Sequence, residues 1–190
     1  MRPLIESFRP RKYVGVDLVE GSGVDVICSA DNLLEIFQKN TCDALISTEL
    51  IEHVQDWKKV VSNFKNVVKP GGIIVITSRS YGYPFHAYPH DFWRYEIEDI
   101  QSIFADCKIE KLEKDPELGF FAKMTKPINF VEKDLADHEL YSIIVEKRIK
   151  QLTSRDLQEF TTREAKKRQQ SLLKERVKKP FSLLFRSIVR

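Results

Sequence analysis

Residues 56–77, with the sequence DWKKVVSNFKNVVKPGGIIVIT, decide the fold of this chain. From Trp57 onward the apolar side chains recur at the spacing of a helix that buries one face, and Asp56 is a suitable N-cap. The Pro-Gly-Gly sequence at 70–72 ends this helix, and the apolar run at 73–77 predicts a buried strand. With another apolar run upstream, the segment forms a strand–helix–strand unit, which indicates an α/β protein with a right-handed crossover.

Three further apolar runs predict strands at 13–17, 24–28 and 43–47. Short apolar runs bounded by turn residues are typical of parallel strands that are covered on both faces. We therefore expect a mostly parallel sheet. Other elements predicted by their patterns are helices at 3–8, 32–38 and 96–104 and strands at 108–114, 120–125 and 141–145.

The composition excludes several classes of protein. Of the 190 residues, 42% are hydrophobic and 31% are charged, which is ordinary for a globular domain and not for a disordered or collagenous chain. No apolar run approaches the about 18 residues that span a bilayer. Three widely spaced cysteines do not form a disulfide framework or a zinc motif. We expect a cytoplasmic protein.

The charge is unevenly distributed along the chain. Residues 151–190 contain eleven basic and four acidic side chains, a net charge of +7, whereas residues 1–150 carry −4. We expect a domain at 1–150 and a basic amphipathic helical tail at 151–190, broken at Pro180. From residue 153 onward the tail has three possible partners: its own domain or a second copy, an anionic membrane surface, or nucleic acid. Nucleic acid is the least favoured, because the body is acidic and contains no recognised RNA-binding module.

Five short blocks, in one order along residues 13 to 125, carry a family resemblance. They are YVGVD at 13–17, SADNL at 29–33, STELIEHV at 47–54, VKPGG at 68–72 and HDFWRY at 90–95. The sequence resembles the class I, Rossmann-like methyltransferases that use S-adenosylmethionine (SAM), of the type 11 kind, and in particular enzymes of sugar and lipopolysaccharide clusters. The resemblance implies SAM as cofactor and does not cover residues beyond 150.

The resemblance also implies cofactor-binding residues. Asp17 would bind the ribose hydroxyls, because an acidic residue at this strand end accepts both of them; the alternative is a surface carboxylate. Asp31 would bind the adenine amino group, and it could also serve as the N-cap of the next helix. The full implied set is Asp17, Leu18, Asp31, Asn32, Ser47, Thr48 and Glu49, of which the last three would line the methionine end of SAM.

The acceptor side is predicted from His53 and from the aromatic segment at 78–95. His53 could be a general base, since its ordinary pKa suits that task; alternatively, Glu52 and His53 begin a helix and solvate a surface. The segment is too long and aperiodic for an ordinary loop, and we predict substrate contacts from His86, His90, Asp91, Trp93 and Arg94. Phe92 or Trp93 could instead anchor the loop in the core.

We expect no metal in this segment. His86 and His90 have the spacing of a zinc-binding pair on a helix, but Pro84 and Pro89 argue against a continuous helix there.

One motif of the family is not found in the sequence. A glycine-rich loop normally lies about 20 residues before the ribose-binding acid, and no glycine precedes Gly15. We expect that the first strand and this loop are missing from the chain, and that residues 1–190 alone bind SAM weakly. The predicted function is SAM-dependent methyl transfer to a hydroxyl, amine or carboxylate of a small molecule or glycan. The alternative is a homologue that binds a partner without catalysis.

Overall fold

The computed structural model describes the backbone of residues 2–186 and the side chains of residues 2–171 and 174. The helices are α1 (Arg2–Ser7), α2 (Leu33–Phe37), α3 (Trp57–Val67), α4 (Ile97–Ile103) and α5 (Ser154–Arg186), with 3-10 helices at Ala30–Asn32 and Ile51–His53. The strands are β1 (Val16–Asp17), β2 (Val26–Ile27), β3 (Cys42–Thr48), β4 (Val68–Arg79), β5 (Trp93–Arg94), β6 (Lys108–Asp115), β7 (Gly119–Thr125), β8 (Leu140–Ser142) and β9 (Lys147–Ile149).

Residues 56–77 form the predicted helix and strand, but α3 already ends at Val67, and the Pro-Gly-Gly sequence that was predicted to end it lies within β4. Asp56 accepts a hydrogen bond from the Lys59 backbone N–H and caps α3, and β4 pairs in parallel with β3. Gly71 takes a positive φ of 79°. At Gly72 a Cβ atom would lie 2.8 Å from the Asp43 carbonyl oxygen, so only glycine allows the strands to approach there.

The sheets combine two kinds of pairing. β1 and β2 form a parallel pair of their own. The second sheet has the order β3-β4-β7-β6, in which β3 and β4 are parallel, whereas the β4–β7 and β6–β7 pairs are antiparallel. A third, antiparallel sheet joins β5, β8 and β9. The predicted α/β, Rossmann-like class is confirmed, and its parallel pairs are those made by the first four strands.

The core lies between the second sheet and the helices. Trp57, Val60, Phe64 and Val67 of α3 are buried, as their helical spacing predicts. The first turns of the tail join this core, since Leu152 and Phe160 are also buried. Among the described residues, no helix is both long and apolar enough to cross a membrane.

The tail departs from one prediction. α5 begins where Thr153 and Asp156 cap each other reciprocally, and it continues through Pro180, where we predicted a break. A proline removes one backbone hydrogen bond from a helix, and the helix-favouring residues on both sides carry the element past it. Within the amphipathic tail, the apolar residues expected on one face are Leu172, Leu173, Val177 and Phe181, and the residues expected to meet a membrane are Phe181, Leu183, Leu184, Phe185, Ile188 and Val189 with Arg186 and Arg190. These side chains lie outside the described ones.

Candidate active site

The cofactor side of the candidate site begins at the ends of the parallel strands. Asp17 is the last residue of β1; its carboxylate is exposed and accepts a hydrogen bond from the Val19 backbone N–H at 3.2 Å. Leu18 follows, with 67% of its surface exposed. Both side chains are therefore accessible at the edge where open α/β sheets bind ligands.

Asp31 lies in the 3-10 helix that follows β2, and a neighbouring residue caps this helix. Ser29 is the N-cap, and its hydroxyl also donates to Asp31 Oδ2 at 2.9 Å. The N-cap of α2 is Asn32, which is exposed and makes no capping bond through its side chain. The alternative that Asp31 caps the helix is therefore wrong, because the cap positions fall one and two residues away.

A buried amide that the sequence analysis missed supports the Asp31 turn. Asn63 of α3 donates hydrogen bonds to the carbonyl oxygens of Ala30 and Asp31 at 2.8 and 2.9 Å. A polar residue on the buried face of α3 was the signal that could have revealed this role. The turn is thus held against the core by one side chain.

Ser47, Thr48 and Glu49 lie at the carboxyl end of β3. Ser47 is buried, and its hydroxyl has no hydrogen-bond partner within the described part of the chain, whereas Thr48 is exposed. Glu49 takes a positive φ of 51°, accepts a hydrogen bond from Thr77 Oγ1 at 2.9 Å and pairs with Arg79. This turn directs the chain away from the sheet toward His53.

Glu52 is the second feature that the sequence analysis missed. Its side chain is fully buried, and its Oε2 accepts a hydrogen bond from Ser78 Oγ at 2.7 Å. Burial raises the pKa of Glu52, and the hydrogen bond from Ser78 opposes this rise. The interpretation of Glu52 as a surface-solvating residue is wrong. Its position between a buried strand and an amphipathic helix was the available signal.

His53 and His86 come together from two segments. Their Nε2 atoms lie 3.2 Å apart, with 26% and 29% of the side chains exposed. His53 Nδ1 lies 2.5 Å from the His90 carbonyl oxygen, and His86 Nδ1 lies 3.0 Å from Asp91 Oδ2. No helix forms between residues 80 and 92, as the two prolines predicted, and His90 joins the cluster through its backbone.

Asp91 and Arg94 form a buried ion pair under this loop. Arg94 donates two hydrogen bonds to the Asp91 carboxylate, at 2.5 and 2.9 Å, and others to the carbonyl oxygens of Tyr83 and Pro84. Burial by itself would raise the pKa of Asp91, but the hydrogen bonds from Arg94 and the His86 backbone outweigh it, and the pKa is lowered. The pair therefore fixes the shape of the loop.

The predicted acceptor residues thus divide into two groups. His86 and His90 are exposed, so contact with a substrate stays a prediction for them. Asp91, Trp93 and Arg94 are enclosed by protein, and Trp93 Nε1 donates to the carbonyl oxygens of Val54 and Gln55. For Trp93 the structure favours the alternative of a core anchor, and the burial of Asp91 and Arg94 argues against direct substrate contact for them as well.

Comparison with known proteins gives a family match and a fold match. Residues 6–76 match the family model described as a methyltransferase domain. A comparison with curated proteins gave no match. The chain is similar to the PH0226 protein from Pyrococcus horikoshii OT3, with 15% identity and a TM-score of 0.50, over 66% of this chain and 77% of that chain.

Two other solved structures are similar over a smaller part. One is the 1,6-didemethyltoxoflavin-N1-methyltransferase of Burkholderia thailandensis, with 14% identity and a TM-score of 0.48, over 59% of this chain and 60% of that chain. The other comes from the complex of the Haloferax volcanii Trm112 methyltransferase activator with a methyltransferase, with 13% identity and a TM-score of 0.45, over 57% of this chain and 64% of that chain. This chain thus spans less than two thirds of the length of each of these two proteins.

The predicted resemblance to a methyltransferase domain is confirmed over residues 6–76, and the chain shares the fold of the PH0226 protein.

Proposed function

We propose that this chain transfers the methyl group of SAM to a hydroxyl, amine or carboxylate group of a small molecule or glycan. One observation carries the proposal. The match to a methyltransferase domain covers the carboxyl ends of β1 and β3, and open α/β sheets bind their ligands at that edge. Polar side chains cluster there, as a cofactor with a nucleoside and an amino acid end requires.

The residues at this edge fit the cofactor. The exposed carboxylate of Asp17 can accept hydrogen bonds from a ribose, and Asp31, beside Asn32, can accept one from an adenine amino group. The unpartnered hydroxyl of Ser47 would gain a partner from the methionine end, which Thr48 and Glu49 would also line. When bound, SAM supplies an electrophilic methyl group.

His53 is the proposed catalytic residue on the acceptor side. Its Nδ1 faces a backbone carbonyl oxygen that can only accept, so the N–H lies on Nδ1 and Nε2 carries the lone pair. That atom can take a proton from an acceptor hydroxyl, while His86 and His90 contact the acceptor and the Asp91–Arg94 pair holds their loop. Most of the rate acceleration would come from aligning the acceptor with the methyl group, because holding two reactants in the correct geometry lowers the barrier to the transfer.

Calorimetry with SAM tests the cofactor side. We expect Asp17→Ala to weaken binding by about 1.5–3 kcal/mol, the range for losing a hydrogen bond to a charged group. Asp43→Ala is the matched control, because this exposed carboxylate lies at the opposite end of β3. Equal affinity of Asp17→Ala and the unchanged protein would contradict the assignment.

The titrations use residues 1–190, for which we expect weak binding. If this chain binds no SAM at all, the alternative of a non-catalytic binding protein is favoured.

We also propose that residues 153–190 pack on their own domain or on a second copy of the chain rather than on an anionic membrane. The contact of Phe160 with Phe85 and Tyr88 supports this proposal, with ring centroids 5.4 and 6.5 Å apart. Sedimentation with anionic liposomes at low salt tests it, with a chain ending at Gln170 as the control that keeps this contact. Equal, low pelleting is expected, and selective pelleting of the full chain would overturn the proposal.

A further inference from the structure

Three side chains of metal-binding type converge beside the proposed active site. Glu52 and His53 come from the 3-10 helix after β3, and His86 comes from the loop before β5. One potential ligand atom from each lies within 4.8 Å of the other two. The cluster brings a carboxylate and two imidazoles to one point from distant parts of the sequence.

The hydrogen bonds around the two rings determine what the cluster presents. His53 Nδ1 faces the His90 carbonyl oxygen and His86 Nδ1 faces the Asp91 carboxylate, and both of these groups are acceptors. Each Nδ1 therefore carries the hydrogen, and each Nε2 carries a lone pair in the neutral ring. The two Nε2 atoms face each other at 3.2 Å. Two lone pairs at this distance repel each other unless a positive charge lies between them.

Glu52 contributes a second, independent observation. Its side chain is fully buried, and Oε2 is taken by Ser78 Oγ. Oε1 has no hydrogen-bond partner within the described residues, and it lies 3.8 Å from His53 Nε2. A buried carboxylate oxygen without a partner is costly, and a bound cation at this point would stabilise it.

We propose that Glu52, His53 and His86 bind a divalent first-row transition-metal ion, with Zn²⁺ as the best match. Two nitrogen ligands of a tetrahedral zinc ion, each about 2.0–2.1 Å from the metal, lie about 3.3 Å from each other, close to the observed 3.2 Å. A carboxylate and two imidazoles form a known donor set for zinc that leaves a fourth position open. Both rings are partly exposed, so that position faces solvent.

The surroundings match those of a metal site as well. Metal-binding histidines donate their second ring N–H to a carboxylate or a backbone carbonyl, which orients the ring. His53 and His86 each have such a partner, and Arg94 in turn holds the carboxylate of Asp91. The prolines at 84 and 89 predicted no helical zinc pair of His86 and His90, and hence no metal. The ligands instead pair His86 with Glu52 and His53.

Metal binding does not depend on the proposed methyl transfer, but it changes how His53 would act. With a cation bound, His53 Nε2 is a ligand and is not free to accept a proton. The cation would then bind an acceptor oxygen at the open position and lower its pKa. The two roles for His53 are therefore distinguished by whether the protein binds metal.

Metal titration of the full 190-residue chain tests the proposal without SAM or an acceptor. After removal of metal with a chelator, Zn²⁺ binding is followed by calorimetry, and Co²⁺ binding by the visible absorption of a tetrahedral site. We expect one equivalent of either ion to bind. Glu52→Gln, His53→Asn and His86→Asn should each abolish saturable binding, and His138→Gln is the matched control, because it removes a histidine outside the cluster.

Folding is checked for each variant by circular dichroism and thermal unfolding. His86→Asn keeps the test decisive if Glu52→Gln fails to fold, because His86 lies on an exposed loop. No saturable binding by the unchanged chain, or equal binding by a folded His86→Asn variant, would overturn the proposal. If the unchanged chain binds no metal and His53→Asn abolishes methyl transfer, the metal site is overturned and His53 keeps its proposed role as a general base. If the chain binds metal but transfers no methyl group, the metal site stands and the proposed methyl transfer does not.

Discussion

The two sides of the proposed active site are held in different ways. On the acceptor side, Glu52, Trp93, Arg94 and Tyr95 are almost completely buried, and each side chain makes at least one hydrogen bond to a neighbouring strand or loop. On the cofactor side, no residue of β1 or β2 is buried, and these two strands pair only with each other. The core therefore fixes the acceptor side. At the cofactor end, β1 and β2 are held by their mutual pairing, and one buried amide of α3 links the turn after β2 to the core. Substitutions on the buried acceptor side should lower stability, whereas substitutions of exposed residues of β1 should affect binding alone.

The largest effect is expected at the buried ion pair. Arg94→Met leaves the Asp91 carboxylate buried without its partner, which should lower the free energy of unfolding by about 3–5 kcal/mol. Urea denaturation measures this change. Lys69→Met is the control, since its ion pair with Asp43 is exposed to solvent and should contribute little to stability. Similar losses in both variants would show that the buried Asp91–Arg94 pair contributes no more to stability than an exposed ion pair.

An intermediate effect is expected at the amide that joins the two sides. Asn63→Ala removes two hydrogen bonds to the carbonyl oxygens of Ala30 and Asp31 and leaves them without these partners. We expect a loss of about 1–3 kcal/mol in the free energy of unfolding. Hydrogen exchange should also speed up in the Asp31 turn while the centre of β4 stays protected. Uniform acceleration in both segments would contradict a separate cofactor side.

A smaller, pH-dependent effect is expected at His138, which packs at the edge of the buried core. Its ring packs against Trp57, and burial lowers its pKa even though Asp99 lies nearby and opposes the shift; Arg148 and Lys133 act in the same direction as burial. Because the unfolded chain binds this proton more readily, stability should fall as the pH drops below the ordinary histidine value of about 6.5. His138→Gln should lose less stability than the unchanged protein between about pH 7.5 and 5.5. Parallel pH profiles would contradict this expectation.

The smallest effect is expected at Asp17. Its exposed side chain makes one local hydrogen bond, so Asp17→Ala should change the free energy of unfolding by less than about 0.5 kcal/mol. The same variant should weaken SAM binding, as proposed above. A large loss of stability would show that β1 depends on this carboxylate, and the contrast between the two sides would disappear.

The sequence predicted the elements that have a strong periodic pattern. α3 and β4 follow from apolar spacing, and strands at the positions of β6 and β7 were also predicted, although their antiparallel pairing was not. β5 and β9 were missed, because strands of two or three residues have no period to detect. The predicted strand at 13–17 forms only at its last two residues, where pairing with β2 is available.

The candidate site was predictable where residues lie at strand ends, and less so where it depends on distant contacts. Asp17 and Ser47 follow from their positions after apolar runs. The convergence of Glu52 with His86 depends on the path of the 80–92 loop, and no local pattern encodes that path. The burial of Arg94 could not be predicted from the sequence either, because arginine is ordinarily exposed. Its pairing with Asp91 explains its buried position.

The contact between α5 and the histidine loop sets an order of events during synthesis. Phe160 packs on Phe85 and Tyr88, which flank His86, and Arg163 donates to the Ile144 carbonyl oxygen. A chain that emerges from the ribosome from its N-terminus folds what is already available, so the sheet can form before this helix exists. The loop that carries His86 gains its last supporting contact only when α5 has emerged, and the acceptor side is therefore completed after the rest of the domain.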